Sequence, residues 1–288
     1  MNASDRNALV AVPLVAIVAL AIALAGSHGG ASAFGVPIFA ISVGLAFLMQ
    51  WLAFIPAFVL QTEKFFDLTG SITYTSVLMV AVLLSPVVDG RSILLFCLVV
   101  VWAVRLGAFL VRRILKVGKD SRFDQIKPSF FRFLSAWTLQ GLWVTFTLAA
   151  ALAAITSTTR KPLDLFALVG FLIWVLGLAI EATADAQKSR FRADPRNSGK
   201  FIRTGLWARS RHPNYFGEIV LWIGVTVVAV PVLRGWQWIT LISPIFVAVL
   251  LTRISGVPML EKAADQRWGG QEDYEAYKDR TPLLIPRL

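Results

Sequence analysis

Cysteine, histidine and charged residues are all scarce in this chain of 288 residues. The sequence has one cysteine and two histidines, and 16% of its residues are charged, against about 25% in a soluble domain. The lone Cys97 excludes a small secreted domain held together by disulfides. His28 and His212 lie far apart in the sequence, so no cluster suits zinc or haem and we expect no metal site.

Apolar residues are abundant instead, at 57% of the chain. This content excludes a disordered chain, and the length of the apolar runs excludes a free nucleic-acid-binding domain, so we expect no nucleic-acid partner. No Lys, Arg, Asp or Glu occurs from Asn7 to Thr62, a stretch long enough for two membrane spans of about 20 residues each. The turn signal at Gly26–Gly30 separates them. The sequence therefore predicts an all-α, polytopic transmembrane helical bundle.

Eight spans are predicted where charge is absent or sparse. They lie at about 8–25, 35–60, 72–88, 92–111, 133–155, 165–181, 216–233 and 236–252. Seven spans are the alternative, if the first segment does not cross. We divide the chain into an N-terminal span and turn (1–30), a membrane helical domain (31–260) and a C-terminal tail (261–288) that packs under the bundle.

Two loops carry the whole net charge of +11. Residues 112–132 hold seven basic and two acidic side chains, and residues 185–211 hold eight basic and two acidic ones. With eight spans, both loops and both termini lie on one face, which the positive-inside rule assigns to the cytoplasm. We expect an integral protein of a bacterial inner membrane. The oligomeric state is not determined by the sequence.

The densest group of polar side chains, residues 205–218, lies where the second basic loop enters span 7. Pro213 suits the first turn of a helix, so free backbone N–H groups and the helix dipole would favour an anion near Asn214. Arg211 and His212 add donors, and Glu218 lies one turn beyond Asn214 on the same helix face. This pattern favours a phosphate site at the membrane surface. A lipid-headgroup anchor that begins with proline is the alternative.

Other charged residues lie at or near the predicted ends of spans on the same side. Individually they are explained by snorkelling or by structural ion pairs, but together they indicate a polar pocket. They are Glu63, Asp67, Arg105, Glu181, Asp185 and Arg253.

Several motifs resemble the steroid 5-alpha-reductase superfamily, in particular its bacterial membrane proteins long filed as a domain of unknown function. The central motif is SRHPNYFGE at residues 210–218. Other matching segments are EKFFDLTGS (63–71), Arg105-Leu106, GKDSRFD (118–124), TRISGVPMLE (252–261) and DRTPLLIP (279–286). The resemblance runs from about residue 35 to the end.

The resemblance implies a helical membrane enzyme that binds NADPH and reduces a carbon–carbon double bond in a hydrophobic substrate, such as a steroid-like enone or a lipid. It puts Asp185, Arg192, Asn214 and Arg253 at positions that contact the cofactor. The same motif adds cofactor-binding residues to these four: Trp207, Arg211, His212, Tyr215 and Glu218. The basic loops would supply cations to the cofactor phosphates.

The proton donor departs from the family pattern. Steroid reductases use a glutamate and a tyrosine from the N-terminal half, and Trp102 stands at the tyrosine position here. Glu63 and Tyr74 could take the two catalytic roles if the segment between spans 2 and 3 folds into the pocket. A tyrosine or a protonated carboxyl group in an apolar site is chemically able to polarise an enone.

Two further functions remain open. Isoprenylcysteine and phospholipid methyltransferases share an Arg-His-Pro-x-Tyr element and use S-adenosylmethionine, which is far less anionic than NADPH. A non-catalytic lipid-binding membrane protein would bind no nucleotide at all.

Overall fold

The computed structural model describes residues 3–287, and 78% of the chain is helical. The helices have the following bounds: α1 Ala3–Ser27, α2 Ile38–Val59, α3 Phe66–Leu84, α4 Gly90–Val117, α5 Phe130–Thr156, α6 Leu165–Ala193, α7 Pro213–Ala229, α8 Ile242–Val249, α9 Gly256–Trp268 and α10 Glu272–Arg280. Two strands of two residues each, β1 (Ser32–Ala33) and β2 (Val36–Pro37), pair antiparallel after α1. The predicted all-α class is confirmed.

Eight helical segments are long and apolar enough to cross a membrane. They are Ala3–Ser27, Ile38–Val59, Phe66–Leu84, Gly90–Val117, Phe130–Thr156, Leu165–Ala193, Pro213–Val232 and Gly235–Trp268. Each overlaps one predicted span, so the protein is an integral, multi-pass membrane protein. The face on which the termini lie stays a prediction.

Two predicted loops are shorter than the sequence indicated. Helix α4 continues to Val117 and α6 to Ala193, so Arg112 and Arg113 lie on α4, and Asp185 and Arg192 lie on α6. Hydropathy detects only the apolar part of a helix. Basic residues in the last turns extend both helices, because cations interact favourably with the negative end of the helix dipole.

The last span also differs from its predicted bounds of 236–252. A 3₁₀ segment (Gly235–Leu241) precedes α8, and a π-helix (Leu250–Ile254) connects α8 to α9. Arg253 lies in this π-helix. Helix α9 runs across residues 260 and 261, where we predicted the tail to begin.

The described residues pack into two compact units. The first contains the chain up to Ala167 together with Val228–Ser243, and the second contains Leu168–Val227 together with the chain from Pro244 onward. These units reflect packing and leave the predicted functional division of the chain untested.

Helix α5 is the centre of the first unit and packs against α1, α2 and α3. An aromatic cluster of Phe54, Phe123, Phe133 and Trp137 anchors one end of this helix. The buried Arg91 donates to the carbonyl oxygens of Val228 (2.6 Å) and Pro162 (2.9 Å). It also pairs with Asp164 at 2.9 Å, so its charge and most of its donors are satisfied.

Close contact between the backbones of α6 and α7 organises the second unit. A Cβ atom on Gly217 would lie 2.6 Å from the amide nitrogen of Glu181 and from the carbonyl oxygen of Gly177. One on Gly224 would lie 2.6 Å from the carbonyl oxygen of Gly170. Small residues allow this approach, as is common between membrane helices. The approach fixes α7, and with it the polar segment that precedes it.

Substituting Gly217→Ala is expected to destabilise the protein by about 1–3 kcal/mol, because the added methyl group collides with backbone atoms that cannot move aside independently. The matched control is Gly44→Ala in α2, where a Cβ would meet no atom within 4 Å. That change should be neutral or stabilising, since alanine favours a helix over glycine by about 1 kcal/mol. Thermal unfolding in detergent measures both. Equal effects at the two positions would contradict the close packing of α6 and α7.

Candidate functional site

A tight 3₁₀ turn, Gly205–Ala208, holds Trp207 against α6. Gly205 has φ +63°, and a side chain there would also collide with Gln187. The Gln187 side chain accepts a hydrogen bond from the Leu206 amide at 3.0 Å. The buried Trp207 indole donates to the Ala184 carbonyl oxygen at 3.0 Å, and the Lys188 ammonium lies 4.4 Å from the centre of an indole ring. The Trp207 side chain is therefore fixed in position, with the Lys188 cation over its ring.

The Glu261 carboxylate on α9 holds two side chains of the segment before α7. One of its oxygens accepts a hydrogen bond from Arg211, and the other lies 2.7 Å from Nε2 of His212. The His212 ring in turn lies parallel to the Tyr215 ring, with centroids 5.7 Å apart. One carboxylate thus orients both the cation and the imidazole of the RHP motif.

The imidazole of His212 is 4% exposed. Burial lowers its pKa below the usual value of 6.5, and although Glu261 opposes that shift, the lowering prevails with help from Lys188 and Arg211. The ring is therefore neutral near pH 7. We assign the proton to Nε2, because an ionised carboxylate can only accept.

The C-terminal segment, residues 281–287, pairs with residues 209–211. The Arg211 amide donates to the Pro282 carbonyl oxygen (2.9 Å), and the Arg287 amide donates to that of Arg209 (3.0 Å). The hydroxyl of the buried Ser210 donates to the Leu284 carbonyl oxygen at 2.8 Å and accepts from the His212 amide at 3.2 Å. The end of the chain therefore fixes the backbone on which Arg211 and His212 stand.

These elements border a cavity of about 690 Å³ in the second unit, within the usual range for small-molecule sites. Five basic side chains line it: Lys188, Arg192, Lys200, Arg211 and Arg267. Its aromatic lining consists of Phe191, Phe201, Trp207, Trp268, Tyr274 and Tyr277. The two carboxylates of the lining, Asp194 and Glu261, are both paired with arginines. The cavity is therefore suited to an anion that carries flat rings.

Three buried polar atoms at the start of α7 and in the segment before it have no hydrogen-bond partner among residues 3–287. They are Nε of Arg211, Nδ1 of His212 and Oδ1 of Asn214. Buried polar atoms are nearly always paired, and this group contains one donor and two acceptors. A nucleotide cofactor has both kinds of partner, so these residues fit such a group.

The structure brings some of the predicted cofactor residues to the cavity wall. Arg192, Trp207, Arg211 and His212 line it. Tyr215 lies behind His212 as its stacking partner.

The other predicted cofactor residues lie outside the lining of this cavity. The Asn214 amide, in the first turn of α7, donates to the buried Asp185 at 3.3 Å. Glu218 lies half-buried one turn further along α7, and Arg253 is exposed in the π-helix. Their role in binding a cofactor stays a prediction.

Glu63 belongs to the first unit, where it is an ion-pair anchor. Its side chain accepts from Lys127 and from the Asp120 amide at 2.8 Å. Burial raises the pKa of this carboxyl group, but these donors outweigh burial and the pKa lies below its usual value. An ionised, paired carboxylate is a poor proton donor, so the structure favours an anchoring role that joins α2 to the segment after α4.

Tyr74, in α3 of the first unit, packs edge-on against Trp102 in α4. The ring centroids lie 5.1 Å apart at an angle of 88°, and both residues are buried. Trp102 stands where the resemblance puts a tyrosine, so the phenol of Tyr74 lies next to that position. Its catalytic role stays a prediction.

Sequence reasoning missed Glu261, Lys200 and Arg267 as cavity residues. It also missed the aromatic residues between positions 268 and 277. Trp268, Tyr274 and Tyr277 occur in a stretch that is otherwise polar and charged. Three aromatic side chains in such a stretch are a signal that the segment packs against something, and they could have been noticed.

Together, the eight apolar helical segments and this cationic, aromatic-lined cavity define a multi-pass membrane protein with a cavity of a size usual for small-molecule sites. Residues 53–281 match the family described as protein of unknown function (DUF1295). The protein belongs to this family, which is part of the steroid 5-alpha-reductase-like superfamily. The predicted resemblance is confirmed.

Two relatives match parts of the chain. The chain is 28% identical over 120 residues to 3-oxo-5-alpha-steroid 4-dehydrogenase 1 of Rattus norvegicus, a match that covers 41% of this chain and 40% of the relative. It is 32% identical over 95 residues to the probable O-methyltransferase ustE of Ustilaginoidea virens, covering 28% of this chain and 34% of the relative. The chain thus spans well under half of each relative. No solved structure matches it.

Substituting Ser210→Ala should destabilise the protein by about 1–3 kcal/mol, because the Leu284 carbonyl and the buried His212 amide both lose a partner. Ser198→Ala is the control, since Ser198 is exposed. Thermal unfolding in detergent measures the difference. If the two variants unfold alike, the C-terminal segment does not support this site.

The protein should lose stability as the pH falls below about 6.5, because the unfolded chain then binds a proton at His212 that the folded chain resists. The variant His212→Gln should flatten this slope in the range below about pH 6.5. Glu63 affects the stability at lower pH, since the stabilising contribution of its ionised carboxylate is lost only as the pH falls below about 4.5. Unfolding midpoints across the pH range test this. An unchanged slope in His212→Gln would contradict the neutral imidazole.

Proposed function

We propose that this protein is an NADPH-dependent reductase of a carbon–carbon double bond in a hydrophobic enone, steroid-like compound or lipid. The observation that carries the proposal is the cavity lined by five basic and six aromatic side chains, with Arg211 and His212 of the RHP motif in its wall. The rat relative is named a 3-oxo-5-alpha-steroid 4-dehydrogenase, and its match supports a reductase. The substrate reaches the protein from the membrane in this proposal.

Each group of residues has a distinct task in binding. Arg192 and Arg211 offer guanidinium groups to phosphate oxygens, which guanidinium binds in a bidentate manner. The aromatic lining offers flat surfaces for the rings of the cofactor. Glu261 keeps Arg211 and His212 oriented, so little side-chain freedom is lost when a ligand binds.

When bound, NADPH would supply a hydride. The proton is the protein's contribution, and we assign it to the Tyr74 hydroxyl rather than to Glu63. A phenol can donate a hydrogen bond to a conjugated carbonyl oxygen. Glu63 is ionised and already holds Lys127.

A methyltransferase that uses S-adenosylmethionine is the second candidate. The match to a probable O-methyltransferase is the observation that favours it. S-adenosylmethionine has no phosphate group and carries a sulfonium cation, so a cavity with five basic side chains suits it less well than it suits NADPH.

Cofactor binding to the detergent-purified protein distinguishes the candidates. NADPH should bind, and Arg192→Ala should weaken binding about tenfold, through loss of a charge-assisted hydrogen bond to phosphate of about 1.4 kcal/mol. Arg190→Ala is the matched control, because Arg190 is exposed on α6 two residues away and outside the cavity lining. Calorimetry or NADPH fluorescence gives the affinities.

Thermal stabilisation by S-adenosylmethionine without stabilisation by NADPH would overturn the reductase proposal in favour of the methyltransferase. Absence of binding by either compound would favour a non-catalytic membrane protein. Oxidation of NADPH on addition of an enone, lost in Tyr74→Phe, would support the assignment of the acid.

A further inference from the structure

The basic side chains in and around the cavity differ in whether a carboxylate pairs with them. Arg211 is paired with Glu261, and outside the lining Arg203 is paired with Asp273 and Arg196 with Asp194. Within the described part of the chain, Lys200 and Arg267 have no salt-bridge partner. Both are exposed at the border of the cavity. Their charges are therefore available to a ligand.

The fold ties the backbones that carry these two cations together. Each cation is followed directly by an aromatic residue, Phe201 after Lys200 and Trp268 after Arg267, and the two rings touch with centroids 5.9 Å apart. The Trp268 indole also donates to the Gly199 carbonyl oxygen at 2.6 Å. The chain around Lys200 and the last turn of α9 are thus held side by side.

The same contacts extend into an aromatic cluster formed by Phe201, Trp268, Tyr274 and Tyr277. Phe201 lies at its centre, 5.3 Å from Tyr274 and 5.4 Å from Tyr277 between ring centroids. The Arg267 guanidinium lies 5.0 Å from the centre of the Trp268 ring. Flat apolar surface and two unpaired cations therefore occur together, which is the combination that binds a base and a nearby phosphate.

We propose that Lys200 and Arg267 bind the 2′-phosphate of NADPH while the adenosine lies against the aromatic cluster, and that these two residues select NADPH over NADH. The proposal rests on the proposed function, because it names the part of the cofactor that this wall of the cavity recognises. The 2′-phosphate is the only group that distinguishes the two cofactors. A phosphate monoester carries nearly two negative charges near pH 7, so it needs cations that are not already neutralised.

The test compares 2′,5′-ADP with 5′-AMP, two ligands that differ by the 2′-phosphate alone. Calorimetry on the detergent-purified full chain should show 2′,5′-ADP binding at least about tenfold more tightly. Lys200→Ala and Arg267→Ala should each reduce this preference about fivefold to tenfold, with 5′-AMP affinity unchanged. Arg267→Lys should retain part of the preference, because it keeps the charge but loses the bidentate geometry.

Lys262→Ala is the matched control, since Lys262 is an exposed cation on the same helix, outside the cavity lining. Equal losses for both nucleotides in the Lys200 and Arg267 variants would overturn the proposal, as would a wild-type protein that binds both ligands equally. Competition by short-chain phosphatidic acid without discrimination between the nucleotides would assign the two cations to a lipid headgroup and overturn it as well.

Parallel titrations with NADPH and NADH separate this proposal from the proposed function. If NADPH binds tightly and the variants keep their preference for it over NADH, only the assignment of Lys200 and Arg267 falls. If the wild-type protein binds neither dinucleotide, both proposals fall together.

Discussion

The candidate site depends on one carboxylate, that of Glu261. It joins α9 to the segment before α7 by holding Arg211 with one oxygen and His212 with the other. A guanidinium group and a nearly buried imidazole would otherwise point in many directions, and each would lack a partner in a region shielded from water. Because Glu261 fixes both side chains, their hydrogen-bonding atoms at the cavity wall are already in place.

The rest of the second unit supports this arrangement from three sides. The glycine contacts between α6 and α7 set the position of the first turn of α7. The Gly205 turn holds Trp207 on α6, and the C-terminal segment pairs with the backbone of Arg211. The C-terminal segment therefore supports the cavity indirectly, through the backbone of residues 209–211.

The basic residues of the second predicted loop have different roles. Some end in local pairs, as Arg196 does with Asp194, and such exposed pairs contribute little to stability. Others line the cavity beside six aromatic side chains. Part of the excess positive charge is thus concentrated around one cavity, and its link to the orientation of the chain in the membrane stays a prediction.

The sequence by itself determined the helical class, the eight apolar segments, the start of α7 at Pro213 and the concentration of polar residues around Arg211 and His212. These follow from local rules: apolar length, proline geometry and the clustering of charge. The tertiary structure decided that Glu261 would orient that motif, that Lys200 and Arg267 would remain unpaired beside an aromatic cluster, and that Glu63 would hold Lys127. Such partnerships join residues about 50 to 70 positions apart in the chain, and hydropathy and motif spacing carry no information about contacts over that range. Only the packed helices bring those side chains together.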